Sequence, residues 1–369
     1  VTGVNARRPL GAGSFYTDSK AGYAGREIAV YSPFTIHHSL FTPLATEMIN
    51  AAIVGLGRWG RNIVNAVQDK SERLRFVRAV VRRTEPAAEF AAQRGIELSN
   101  NLADALADPG VRAVALVTPH SQHVEQVIAC AGAGKHVFCE KPLALTRSEA
   151  VRAVNACKEA GVALAVGTDK RLWPSMRELK RVVDSGVLGE VMHVEGHFSN
   201  ETSHRFHVAW RDSPAESPGA GMTATGIHVL DAFVNLMGPV RRVQAQVISR
   251  RPPPLMLDTV SAIFEFENGA SGMLGTFRVT PIYWRVHVFG EKGSAEALGE
   301  TELVLRMTGE KPKRQAFEPV DALRLEFDAF ADAASGGAPF PVTTAQMVAT
   351  VAALEAMNKA MEANAGVRV

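Results

Sequence analysis

The sequence predicts an α/β chain in two parts: a doubly wound parallel sheet, then an α+β region built on a large, mostly antiparallel open sheet. Three observations predict it. Between residues 49 and 168 short apolar runs alternate with helical stretches. The first of those runs ends in a glycine-rich turn. After Thr168 the strand candidates lengthen, and turn signals rather than helices separate most of them.

The alternation begins abruptly at Met48. "INAAIVGLG" (49–57) reads as a strand buried on both faces, and a helical stretch opens at Arg58. "LRFVRAVV" (74–81) is a second strand, and "EPAAEFAAQRG" (85–95) a helix ended by glycine. "VRAVALVTP" (111–119), "HVFCEKP" (136–142) and "VALAVGT" (162–168) supply three more strands, with helices over 121–136 and 147–160 between them. "WPSMRELKRVVDSG" is a helix starting near Pro174 and ending at Gly186. Longer strands follow at 189–199, 240–250, 258–266, 271–280 and 284–289, with Asn268-Gly269 favouring a hairpin between the third and fourth. "GMTATGIHVLD" (221–231) reads as a buried helix crossing this sheet. The expected division is a dinucleotide-binding domain over 48–168 and a substrate and oligomerisation domain over 169–369. Helix 343–364 is expected to pack back on the first domain.

Residues 1–47 lack a sustained period and a compact apolar segment, so the Arg7-Arg8 pair does not make an export signal. They are expected to be a disordered or non-native extension, with Met48 as the natural start and Val1 the literal reading of a GTG codon. No apolar run approaches the roughly 18 residues needed to cross a bilayer. The 40 basic and 38 acidic residues balance too closely to suggest a nucleic-acid or membrane partner. Three cysteines without CxxC spacing favour free thiols and a cytoplasmic setting.

Gly55-Leu56-Gly57-Arg58-Trp59-Gly60 fits G-x-G-x-x-G between a strand and a helix, where a Rossmann sheet receives a pyrophosphate at the helix N-terminus. The alternative is a glycine-rich turn with no ligand. At the end of the second strand, where an acid would hold the adenosine ribose, stand Arg82, Arg83 and Thr84. Two guanidiniums and a hydroxyl suit a ribose 2′-phosphate, so NADP is expected over NAD. The competing reading is a solvated basic turn, with Glu85 as the ribose acid.

"TPHSQH" (118–123), "CEKPL" (139–143) and "GIHVLD" (226–231), in that order behind the glycine loop, resemble the glucose–fructose oxidoreductase / inositol dehydrogenase / MocA (Gfo/Idh/MocA) family over about residues 49–365. The resemblance implies an NAD(P)-dependent oxidoreductase that exchanges a hydride with a carbinol or carbonyl of a sugar, polyol or dihydrodiol. It implies that Thr118, Pro119, His120, His123 and Glu140 line the cofactor site. It also implies a homo-oligomer, dimer or tetramer, formed through the second sheet. A lysine at a strand C-terminus stands where doubly wound folds bind ligands. There Lys141 would polarise the reacting oxygen, and His228 would assist proton transfer. Taken alone, a lysine such as Lys141 is more often a rim ion-pair partner, and a histidine in an apolar helix such as His228 is usually a core residue bonded to a carbonyl. "HVEGH" (193–197) lacks zinc-protease spacing, and no metal site is expected.

Ala224 departs from the family pattern, which carries an aspartate one helical turn before the histidine. Thr225 offers only a neutral hydroxyl, and Asp231 matches a position the family usually keeps acidic. Lys170, after the fifth strand, is a further cofactor or substrate contact. Trp210 and Arg211, in the loop entering the helix, are candidates to cover the substrate or to be ordinary loop residues. The missing aspartate leaves open a catalytically weak nucleotide-binding sensor or scaffold, and the resemblance implies a further alternative, nicotinamide-assisted glycoside elimination or hydrolysis without net redox.

Overall fold

The computed structural model describes residues 48–200, 210, 213, 215–219, 221–250, 258–278 and 280–369. The expectations for residues 1–47 and for Arg211 lie outside the described residues.

In the first part, β1 (Ile49–Val54), α1 (Arg58–Val67), β2 (Leu74–Val80), α2 (Ala88–Gln93), β3 (Glu97–Ser99), α3 (Leu102–Ala107), β4 (Ala113–Leu116), α4 (His123–Gly132), β5 (His136–Cys139), α5 (Arg147–Glu159) and β6 (Leu164–Val166) follow in order. The strands form a six-stranded sheet of order β3-β2-β1-β4-β5-β6. Every pairing is parallel. Strand order reverses between β1 and β4, so a crevice opens at the C-terminal ends of these two strands. The five predicted strands are all present. The added β3 is three residues at the sheet edge, too short to show a period. The helix expected over 85–95 is broken into a single turn, Glu85–Ala87, and α2, with Pro86 in the first turn.

The second part contains α6 (Pro174–Asp184), β7 (Val191–Asn200), α7 (Ile227–Met237), β8 (Val240–Ser249), β9 (Asp258–Phe266), β10 (Ser271–Arg278), β11 (Tyr283–Gly290), β12 (Gly293–Leu298), β13 (Glu302–Met307), β14 (Lys313–Ala316), α8 (Ala322–Ala334), α9 (Thr344–Ala363) and β15 (Val367–Arg368). Its nine-stranded sheet has the order β14-β13-β12-β11-β7-β10-β9-β8-β15. Among its described pairings only β7 and β10 run in parallel. The Asn268-Gly269 hairpin forms as expected: Gly269 takes φ +88° and Asn268 Oδ1 accepts from the Ala270 N–H at 3.0 Å. Trp284, Val286 and Val288 of β11 alternate inward and share a core with Val229, Phe233 and Met237 of α7. Arg285 and His287 point to the other face and join Glu195, Glu296 and Arg306 in an ionic network. Ile263 and Met273, paired across β9 and β10 on that same face, are exposed.

Two helices tie this region to the first sheet. Phe327 and Phe330 of α8 enter the core beneath β2 and β5, where the Phe327 ring stacks on Phe138 at 4.1 Å. Along α9, Met347 and Val351 join the first sheet's other core, whereas Leu354, Met357 and Ala360 join the core of the second. A helix apolar around most of its circumference is suited to this double burial. Among the described residues, no helix is long and apolar enough to cross a membrane. Cys130, Cys139 and Cys157 are buried and unpaired, and burial pushes the Cys130 and Cys157 thiols up to about 12.

Candidate active site

The glycine loop separates what the fold needs from what a ligand needs. Gly55 has φ +103°, and a Cβ there would lie 2.5 Å from the Val117 carbonyl oxygen. A Cβ on Gly60 would lie 2.0 Å from the Gly55 carbonyl oxygen, so α1 approaches its own loop only without one. Gly57 is different: a Cβ there would meet no protein atom within 4 Å. It is the N-cap of α1, with no side-chain cap and no acidic residue in the first turn. That open, uncapped N-terminus fits a pyrophosphate. Leu56 is buried in the core, and Arg58 opens the helix.

Arg82 and Arg83 are exposed at the end of β2, with no hydrogen-bond partner among the described residues, and Thr84 is half-buried beside them. The neighbouring Arg61 is held, donating to the Pro86 carbonyl at 2.8 Å and lying over Phe90.

The residues after β4 divide in role. Thr118 Oγ1 donates to Gln126 at 2.6 Å, and Pro119 leads into the turn His120–Gln122. His123 is fully buried, its two ring nitrogens 2.7 Å from the Pro142 carbonyl and 3.0 Å from that of Thr118. His123 thus clamps the loop after β4 to the loop after β5. His120 is also buried; its Nδ1 meets the Glu216 carbonyl, and the Trp210 ring packs edge-on at 5.2 Å. Trp210 therefore packs on the turn after β4, a contact between residues 90 positions apart that no local pattern announces.

Beyond β5, Glu140 is nearly buried and accepts from Trp59 Nε1 at 2.6 Å. Burial raises its pKa, against the opposing pull of Lys141 and the indole N–H. The glycine loop and the Glu-Lys-Pro turn are thus joined by a side-chain bond that neither motif announces. The helix of "GMTATGIHVLD" opens with a π-helical turn, Met222–Gly226, before α7. In this wider turn the Ala224 carbonyl accepts from Lys141 Nζ at 2.7 Å. Lys141 therefore bonds to the position that lacks the expected aspartate, one turn before His228.

His228 is half-buried, and neither ring nitrogen has a hydrogen-bond partner among the described residues. Phe198 packs edge-on against its ring at 6.0 Å. Burial, with the ammonium groups of Lys170 and then Lys141, pushes its pKa well below the ordinary histidine range. The imidazole is therefore neutral at physiological pH. Thr225 is buried in the π-helical turn. Lys170 Nζ lies 3.3 Å from Asp169 and over the rings of Trp173 and Phe198, at 4.9 and 5.6 Å. Lys141, Thr168 and His228 line one small pocket, floored by Met347 and Val351 of α9.

Asp231 does not replace the missing carboxylate. Arg171 grips both its oxygens, at 2.7 and 2.8 Å, and also donates to Asn235 and Gln346. Motif reading missed a second carboxylate, Glu326 of α8, which is buried and accepts from the Thr168 N–H. Burial, Asp169 and Glu140 raise its pKa well above the carboxylate range. No local pattern marks it, because it reaches the site from a helix more than 150 residues downstream of Thr168.

A doubly wound parallel sheet with an open, uncapped helix N-terminus at its switch point is the fold of a nucleotide-binding domain. Residues 49–168 match the model of an oxidoreductase family with an NAD-binding Rossmann fold, and residues 176–296 match the GFO/IDH/MocA C-terminal domain. The myo-inositol 2-dehydrogenase of Thermotoga maritima is 30% identical over 69% of this chain and 77% of its own. The trans-1,2-dihydrobenzene-1,2-diol dehydrogenase of Bos taurus is 28% identical over 60% of this chain and 66% of its own. A solved Desulfitobacterium hafniense oxidoreductase, named as NADPH-dependent, is 27% identical, with a TM-score of 0.78 over 87% of this chain and 97% of its own. The chain belongs to the Gfo/Idh/MocA family of NAD(P)-dependent oxidoreductases.

Proposed function

We propose that the protein is an NADP-preferring dehydrogenase or reductase of a carbinol in a small polar substrate of the sugar, polyol or dihydrodiol kind. The observation that carries this reading is the meeting of Lys141 with the turn that presents His228, through the 2.7 Å bond to Ala224. Gly55 to Gly60 would hold the pyrophosphate, with Arg82, Arg83 and Thr84 on the ribose phosphate. Thr118, Pro119, His120, Glu140 and Lys170 would surround the nicotinamide end. When bound, the nicotinamide accepts or returns a hydride at the carbinol carbon. Lys141 donates a hydrogen bond to the substrate oxygen and stabilises its alkoxide character. His228, held neutral, takes the hydroxyl proton in oxidation, and its conjugate acid returns it in reduction. Trp210, Arg211 and Thr225 would complete the substrate side. Ile263 and Met273, exposed on the uncovered face of the second sheet, support a homo-oligomer formed through that face. A cytoplasmic location suits the three unpaired cysteines.

One observation favours a weaker catalyst or a sensor: no carboxylate contacts His228 among the described residues. Fluorescence titration with NADPH and NADH, then turnover on a sugar, polyol and dihydrodiol panel, separates the readings. NADPH should bind at least about tenfold more tightly, and R82A/R83A should remove the difference. Equal binding of the two cofactors refutes the role of the arginines. Tight binding without turnover on any panel, unaffected by Lys141→Ala, favours the sensor.

A further inference from the structure

We infer that the substrate is a hydroxy acid whose carboxylate is held by Lys170, supplying at His228 the negative charge that Ala224 does not. The inference rests on the dehydrogenase reading above and narrows its substrate class.

Among the described residues, the carboxylates around the site have other partners. Asp231 is taken by Arg171. Glu140 accepts from Trp59, and Glu326 from the backbone of Thr168. Asp169 is held on Lys170, and the ammonium groups of Lys170 and Lys141 act on His228. Protonating the imidazole beside two ammonium groups, in a half-buried position, is unfavourable without a compensating anion. A neutral polyol brings none. A substrate carboxylate does.

Lys170 is placed to receive it. Its ammonium and the His228 ring both pack on Phe198, so cation and imidazole are neighbours across one side chain. Trp173 shields another side of the ammonium. Low-polarity walls strengthen an ion pair formed there. The contacts to Asp169, at 3.3 and 3.4 Å, exceed the 2.7–2.9 Å range typical of N–H to carboxylate bonds. Among the described residues Asp169 is the only hydrogen-bond partner of Lys170, leaving N–H bonds for a second carboxylate.

The test compares acids with neutral partners in the full-length protein: gluconate and glucuronate against glucose and myo-inositol, with NADP+ and NAD+. At least one acid should be used with kcat/KM about tenfold or more above the neutral compounds. K170M should lower that value about 10- to 100-fold and cut the acid-to-neutral ratio of kcat/KM at least about tenfold, while K170R retains most of that ratio. A224D should shift the preference toward neutral polyols, since the protein then provides the charge itself. Quenching of tryptophan fluorescence by gluconate, with cofactor present, should be lost in K170M, giving a binding readout apart from turnover. Better use of the neutral compounds, an unchanged ratio in K170M, or no turnover of either acid overturns the inference. Neutral turnover with intact NADPH binding leaves the dehydrogenase reading standing; absent binding of both cofactors removes that reading as well.

Discussion

Replacing Asp231 with alanine tests whether the buried ion pair holds the site together. Arg171 and Asp231 have side chains only 5% and 6% exposed and meet through two charge-assisted bonds. Asp231→Ala leaves the guanidinium buried with neutral partners, and removing one member of such a pair costs about 3–5 kcal/mol. The melting entropy of a chain this size is roughly 0.7 kcal/mol/K, so Tm should fall by about 4–7 °C. Arg171→Met combined with Asp231→Leu should recover most of that loss, because apolar residues of similar volume often replace a buried pair without cost. Half-buried Asn235 and Gln346 can turn to solvent in the double variant. Arg171 follows Lys170 directly, and Asp231 lies one helical turn after His228, so D231A should also lower kcat more than it changes KM. Melts followed by circular dichroism for both singles and the double give the coupling energy. A D231A variant melting within 1 °C of wild type, or a double no better than the singles, would refute the reasoning.

Gly57→Ala should fold with wild-type Tm yet weaken NADPH binding about tenfold or more, whereas Gly60→Ala should destabilise the protein, as fluorescence titration and thermal melts of both variants will tell. Lys141→Met should lower kcat about 10²–10³-fold while NADPH still binds. Glu326 binds its proton more tightly folded than unfolded, so its contribution is present below the unfolded value of 4.5 and is lost as pH rises toward the folded one. E326Q should therefore gain on wild type by roughly 2 °C per pH unit above about pH 5, up to the folded pKa; parallel curves in Tm against pH would contradict this. His228 is held neutral, so kcat/KM for oxidation should show no acidic limb between pH 8 and 6.5, and A224D should raise the imidazole pKa and bring one into view.

Much of the site was legible because its motifs are local. The glycine spacing, the Glu-Lys-Pro turn and the order of strands are fixed by residues close in sequence, and each falls at the end of a strand as its chemistry requires. The hairpin at Asn268-Gly269 was legible for the same reason. Between residues 290 and 342 nothing was assigned, although β12, β13, β14 and α8 lie there. "GSAEAL" and "KRQA" have no strand character of their own and become strands through pairing with their neighbours. The motif around His123 did not show its burial or its contacts to the Pro142 and Thr118 carbonyls, which packing decides.

The sequence by itself determined the parallel sheet, the glycine-rich turn after its first strand, the lysine at its mouth and the absence of an acid at Ala224. Only the tertiary structure decided which charges meet. It gave Asp231 to Arg171, Trp59 to Glu140, Lys141 to the Ala224 carbonyl and Glu326 to Thr168. These pairs join residues 60 to about 160 positions apart, and a buried polar group takes the partner that packing brings within reach.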